Sequence, residues 1–241
     1  MSVEVLPDQE SLVDRARELM VEKIKSAITQ RNQCTIALAG GSTPKPLYEN
    51  LAQESLPWEK IQIFWGDERY VPSDHPDSNE KMAREAWLDQ VSIPPSNIHP
   101  MPTTGQNPQA DAAKHEQEIR EFFQCGEEDI PSLDIILLGM GDDGHTASLF
   151  PQTEAVTVRD RLITVGNKGD SQRLTFTAPF INQGRCVIFL VAGANKRPAL
   201  AQVFAPQGDE TQYPSRLIQP QGELWWLLDQ EAGAEIENYS K

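Results

Sequence analysis

The chain has 241 residues, with 21 Lys+Arg against 36 Asp+Glu and a formal net charge of −15. That length fits one large α/β domain or two small ones, and the acidic balance argues against nucleic acid or an anionic membrane surface as partner, since both attract a basic face. No apolar run approaches the roughly 20 residues that span a bilayer, the opening MSVEVLPDQE lacks the basic and apolar regions of a secretory leader, and Cys34, Cys125 and Cys186 form no CxxC pair, so a cytoplasmic protein without a disulfide framework or cysteine-based zinc site is expected.

Leu12, Val13, Ala16, Leu19, Met20, Ile24, Ala27 and Ile28 recur at three- and four-residue spacings and predict a long helix over about residues 9–30. Thr35–Ala39 then reads as a short buried strand, Gly40-Gly41-Ser42-Thr43-Pro44 as a turn, and Leu47, Tyr48, Leu51 and Ala52 as the apolar side of a second helix. In that turn, glycines let backbone N–H groups approach an oxyanion, Ser42 and Thr43 add hydroxyl donors, and Thr43 and Pro44 suit the N-cap and first helical position. A phosphate fits such a cradle, although the stretch is neither GxGxxG nor GxxxxGK[ST], which disfavours a dinucleotide or nucleoside triphosphate. Ile61–Trp65 is a further strand, and Gly66-Asp67-Glu68-Arg69 places two acids and an arginine directly after it. Asp74, His75 and Asp77 look like a metal cluster only superficially, being confined to a loop without helical spacing, and no metal is expected. Ser78-Asn79 reads as the cap of a helix over about 78–90.

The segment 92–108 carries five prolines and reads as an irregular connection, followed by a helix over about 109–124 and the strand Leu133–Leu138. Gly139–Pro151, GMGDDGHTASLFP, comes next, and puts Asp143 and His145 where an open α/β sheet presents its carboxyl ends. Histidine accepts a proton near neutral pH, and a carboxylate two residues away orients its ring, so His145 is the leading general-base candidate. Leu162–Val165, Leu174–Thr177, Val187–Ala192 and Leu224–Leu228 are strand candidates, with helices over 178–183 and 195–205 and a turn near 214–219. Arg173 lies just before one of these strands, and Lys196 and Arg197 follow another, where a cation completes a phosphate site or is simply solvated. Strands alternating with helices imply one compact domain, 1–241, built on a mainly parallel sheet covered on both faces.

In this order, GGSTP, WGDERYVPSDHPDSN, GMGDDGHTASLFP and AGANKRPAL resemble the 6-phosphogluconolactonases, over about residues 10 to 205. The resemblance implies an α/β fold of three layers, α/β/α, with a Rossmann-like, mainly parallel sheet of the kind seen in glucosamine-6-phosphate deaminases. It further implies hydrolysis of 6-phospho-D-glucono-1,5-lactone in the oxidative pentose phosphate pathway, without metal or organic cofactor. Residue by residue, Gly40, Gly41, Ser42 and Thr43 match the phosphate loop, Arg173 and Lys196 the phosphate-holding cations, and His145 the general base. Asp143 and Asp67 are expected to line the same pocket, and Arg69 to face the lactone end. The expected partner is the sugar-phosphate lactone alone, with the protein a monomer or small homo-oligomer. Amino-sugar-phosphate deaminases carry NEP where this chain has Leu149-Phe150-Pro151, so one of their glutamates is replaced by Phe150. A deaminase or isomerase on the same scaffold and a non-catalytic sugar-phosphate-binding module are the alternative readings.

Overall fold

The computed structural model describes residues 1–236, so the last five residues of the span expected as one domain lie outside the described residues. Six strands form one parallel sheet: β1 (Ser2–Leu6), β2 (Cys34–Leu38), β3 (Ile61–Trp65), β5 (Ile135–Gly139), β8 (Cys186–Val191) and β9 (Glu223–Asp229), in the order β1-β9-β8-β5-β2-β3. Their sequences are runs of Ile, Leu, Val and Phe because both faces are covered. Successive side chains point to opposite faces, so Ile36, Leu38, Ile135, Leu137, Ile188 and Leu190 enter one core while Ala37, Ile136, Leu138, Val187, Phe189 and Val191 enter the other.

The first core is closed by α1 (Gln9–Arg31), α2 (Lys45–Leu51) and α3 (Asn79–Ala86). Asp8 caps α1 by accepting the Ser11 N–H at 2.7 Å, and the helix ends at Asn32 in the left-handed region, with φ 60°. Leu12, Leu19, Met20 and Ile24 are fully buried beneath it, each contributing about 1.5–3 kcal/mol through removal from water. The second core lies under α4 (Pro108–Phe123), α5 (Ala178–Asn182), α6 (Arg197–Phe204) and α7 (Gln230–Gly233). That layer also contains an antiparallel sheet, β4 (Asp67–Arg69), β7 (Ser171–Phe176) and β6 (Ile163–Lys168), whose Ile163, Leu174 and Phe176 join the same core. The expected three layers are therefore present, with one outer layer part helix and part sheet.

Four local expectations change. Residues 2–6, not read as an element, form the edge strand β1, half-buried and, among the described residues, paired only with β9. The strands expected at 162–165 and 174–177 run longer and pair antiparallel with each other, so Arg173 lies within β7 instead of before it. Thr43 does not cap α2: Pro44 flanks the helix and makes no side-chain cap hydrogen bond. The 78–90 helix ends at Ala86 and tightens into a 3₁₀ turn over Leu88–Gln90, while Ser78 caps it as expected, accepting the Lys81 N–H at 3.1 Å.

Chain order places a crevice at one end of the sheet. From β2 the chain continues to β3 on one side, and from β5 to β8 on the other, so the connections diverge between β2 and β5. Diverging connections leave a crevice at the strands' carboxyl ends, where ligands of open α/β sheets bind. Leu38, Gly66, Gly139 and Val191, the residues that end or follow β2, β3, β5 and β8, wall a cavity of about 300 Å³ at that place. Among the described residues no helix is long and apolar enough to cross a membrane, and no group of three His, Cys, Asp or Glu side chains could hold a metal ion.

Candidate active site

The cavity brings together Gly40, Gly41, Ser42, Thr43, Asp67, Arg69, His145, Arg173 and Lys196, from segments up to 156 positions apart in sequence. Asp143 is the exception among the expected residues. It stands behind His145 and not in the cavity wall: its Oδ1 lies 2.5 Å from the His145 Nδ1 and accepts the His145 backbone N–H at 3.0 Å. The loop that carries the pair closes on itself, with Gly141 N–H on His145 O at 2.9 Å and Thr146 Oγ1 on Gly139 O at 2.8 Å. Gly141 has to be glycine, because a Cβ there would come within 2.1 Å of the His145 Nδ1 and 2.6 Å of the Asp143 Oδ1.

Burial opposes the charge on Asp143, but the His145 backbone N–H and the imidazole together outweigh it and hold the carboxyl below its ordinary value. An ionised carboxylate only accepts hydrogen bonds, so the Nδ1 facing it carries the proton. The lone pair is then on Nε2, which has no hydrogen-bond partner among the described residues and belongs to a ring lining the cavity. On its face, His145 meets Phe150 with ring centroids 4.5 Å apart.

The GDER segment divides its labour. Glu68 is a structural group: its carboxylate accepts N–H groups from Arg69, Asn79 and Glu80 and the Ser78 hydroxyl at 2.7–3.0 Å, fixing β4 to the start of α3. Burial pushes its carboxyl above the usual range against the pull of those N–H groups. Asp67, also buried, faces the cavity and accepts the Ser148 hydroxyl on Oδ2 at 2.5 Å. Asn79 donates to the Asp67 carbonyl at 2.8 Å and packs so closely beneath the GGST turn that a Cβ on Gly40 would overlap its Oδ1 at 1.9 Å.

The cations are held differently from ordinary surface charges. Arg69 and Arg173 face each other across β4 and β7, and the Nε of each is buried without a hydrogen-bond partner among the described residues. The Arg69 Nη1 donates to the Asp77 carbonyl at 2.6 Å. Burial, and then the neighbouring Arg69, push Arg173 below the usual arginine value. Two like charges placed this close, with donors left over, are suited to an anionic group. Sequence reasoning missed Lys168, Asn79 and Ser148. Lys168 lines the cavity from the β6–β7 hairpin and sits over the Phe150 ring, 5.7 Å from its centroid. Its only sequence signal was a glycine-aspartate turn between two strands. Asp74 and Asp77 are exposed and His75 is half-buried; the His75 Nδ1 accepts the Asp77 N–H at 3.1 Å, a turn contact that orders the loop ahead of α3.

A family model described as glucosamine-6-phosphate isomerases/6-phosphogluconolactonase matches residues 7–226. Among curated proteins, a 6-phosphogluconolactonase of Nostoc sp. is 64% identical, covering 98% of both chains. One of Synechocystis sp. is 61% identical, over 97% of this chain and 98% of the relative. The solved structure of a 6-phosphogluconolactonase from Trypanosoma cruzi superposes with a TM-score of 0.89 at 31% identity, covering 98% of this chain and 97% of that one. A monomeric glucosamine-6-phosphate deaminase shares the fold, with a TM-score of 0.82 at 20% identity over 97% and 99% of the two chains. Motifs, topology and comparisons agree, and the chain belongs to the glucosamine-6-phosphate isomerase/6-phosphogluconolactonase family.

Proposed function

We propose that the chain hydrolyses 6-phospho-D-glucono-1,5-lactone to 6-phospho-D-gluconate, with His145 as the general base. The observation that carries this reading is the His145–Asp143 pair, which, among the described residues, leaves Nε2 free at a cavity lined by cations without carboxylate ion-pair partners. The phosphate binds to the Gly41-Ser42-Thr43 turn, Arg173 and Lys196, so a remote charged group positions the reacting end of the sugar. Nε2 takes a proton from water as its oxygen attacks C1. Arg69 stabilises the oxyanion that develops on the carbonyl oxygen. The C1–ring-oxygen bond then breaks, and the imidazolium returns its proton to the leaving oxygen.

Asp67, fixed by Ser148, orients the water or a sugar hydroxyl with its second carboxylate oxygen. The lactone is an activated ester, so one base and good positioning suffice. Deamination with ring opening needs a further acid–base group, and the apolar Phe150 occupies the place where the deaminases carry a glutamate. The reading is completed by one domain over residues 1–241, acting in the cytoplasm as a monomer or small homo-oligomer, within the oxidative pentose phosphate pathway.

The test generates the lactone in place from glucose 6-phosphate and follows its loss with wild-type protein, with His145→Ala protein and without protein. The variant is expected to lose about 10²–10⁴ in turnover. Near-wild-type activity in His145→Ala would sink the role of His145, and no acceleration by the wild type would sink the activity.

A further inference from the structure

One face of the antiparallel sheet is unusually cationic. In the register of β4, β7 and β6, Arg69 pairs with Arg173, Arg173 with Gly166, and Lys168 with Ser171. Side chains two positions apart share a face, so Arg69, Arg173 and Lys168 emerge from the same side, and Gly166 leaves a gap among them. The segment after His145 fills that gap: a Cβ on Gly166 would come within 2.3 Å of the Ser148 carbonyl oxygen. Two residues on, the Phe150 ring meets the cations. The Arg173 Cζ lies 5.3 Å and the Lys168 Nζ 5.7 Å from its centroid, within cation–π range. Neither cation makes an ion pair among the described residues, and the Arg173 Nε is buried without any partner.

From this we infer that Phe150 is a positioning residue, one that holds Lys168 and Arg173, neither of them in an ion pair among the described residues, as a cation pair for the substrate phosphate. The choice of an aromatic ring matters chemically. A carboxylate in its place would hold the two cations more strongly but would also neutralise them, leaving the phosphate to displace an internal anion. A ring attracts the cations with its negative face and leaves their charge in place. Leucine or methionine would fill the volume without that attraction, and the exposed Lys168 on its hairpin would keep its full rotamer freedom, which phosphate binding would then have to remove. Lys168 thereby becomes a phosphate ligand alongside the expected Arg173 and Lys196.

This inference rests on the lactonase reading for its substrate, but its test does not. Inorganic phosphate is titrated calorimetrically at low salt into the wild type, Phe150→Leu, Lys168→Gln and the double variant. The same four proteins are assayed on 6-phosphogluconolactone and on phosphate-free glucono-1,5-lactone. Phe150→Leu should weaken phosphate binding about tenfold and lose several times more activity on the phosphorylated lactone than on the phosphate-free one. The double variant should bind phosphate scarcely more weakly than Phe150→Leu alone, since a Lys168 that is no longer held has little left to lose. Unchanged phosphate affinity in Phe150→Leu, or fully additive losses, would overturn the inference. If Phe150→Leu does not fold, Lys168→Gln decides: undiminished phosphate binding overturns the proposal, and weakened binding sustains it. Wild-type protein that shows the phosphate pattern but does not accelerate lactone loss would remove the hydrolase reading and leave this one standing.

Discussion

The two ends of the parallel sheet treat charge in opposite ways. At the amino end, the buried Asp134 accepts the Thr35 N–H and hydroxyl at 2.9 and 3.0 Å and the Arg31 Nε at 2.8 Å, with the Arg185 Nε at 3.5 Å. Its carboxylate is paired and hydrogen-bonded, and it ties the starts of β2, β5 and β8 together. At the carboxyl end, among the described residues, Arg69 and Arg173 keep unpartnered buried donors and the Nε2 of His145 has no partner. Buried charge that is satisfied builds structure, whereas buried charge left unsatisfied is kept for a ligand. Substitutions at the two ends should therefore separate activity from stability.

The largest effects belong to the carboxyl end. Asp143→Asn removes the acceptor that fixes the Nδ1 proton, and turnover should fall by about 10²-fold or more with the melting temperature little changed. The pH dependence has a definite sign. Because the Asp143 carboxyl is held below its ordinary 3.8 when folded, its contribution to stability is present above that value and is lost as the pH falls through the lower, folded one. In acid unfolding curves, wild type should thus lose stability relative to Asp143→Asn only below about pH 4. A stability difference between the two proteins that already changes with pH near neutrality would show that the carboxyl is not held below its ordinary value.

Asp134→Asn makes the opposite prediction. The side-chain amide has one acceptor oxygen where Asp134 uses two, so Thr35 or Arg31 loses a partner, at a cost of about 1–3 kcal/mol. Chemical denaturation should show that loss while kcat/KM on the lactone stays within about twofold of the wild type. A fall in kcat/KM comparable to that of Asp143→Asn would mean that the two ends are coupled and the comparison fails.

The same contrast explains what the sequence made legible. The buried strands were visible because both-face burial writes continuous apolar runs such as Val187–Val191. The cavity-facing turns were visible because close packing against the backbone demands glycine, as at Gly40 and Gly141. β1 was missed because an edge strand with half-buried residues shows no such run, and β4 because three residues carry no period. Lys168 and Ser148 were missed for a different reason: each matters through register and contact with distant segments, which spacing along the chain does not encode. Asp143 was found, but its place behind the histidine instead of in the cavity wall is set by the fold of the loop.

The smallest expected effects concern backbone strain, and they sharpen the comparison most finely. Asn32 follows α1 at the amino end with φ 60°, and Ala147 lines the cavity with φ 46°, both in the left-handed region. Asparagine tolerates that region through its short polar side chain, whereas alanine pays about 1 kcal/mol for it. Asn32→Gly should shift stability by less than about 0.5 kcal/mol and leave turnover unchanged. Ala147→Gly relieves the strain but frees the unfolded chain and removes a packed methyl, so net stability should stay within about 1 kcal/mol of the wild type. Its effect should appear in turnover instead. Ala147 stands between His145, the proposed base, and Ser148, which fixes the Asp67 carboxylate, and a looser backbone there widens the distribution of both. A few-fold fall in kcat at constant stability is the expected result, and unchanged kcat would show that the strain at the carboxyl end has no part in positioning the site.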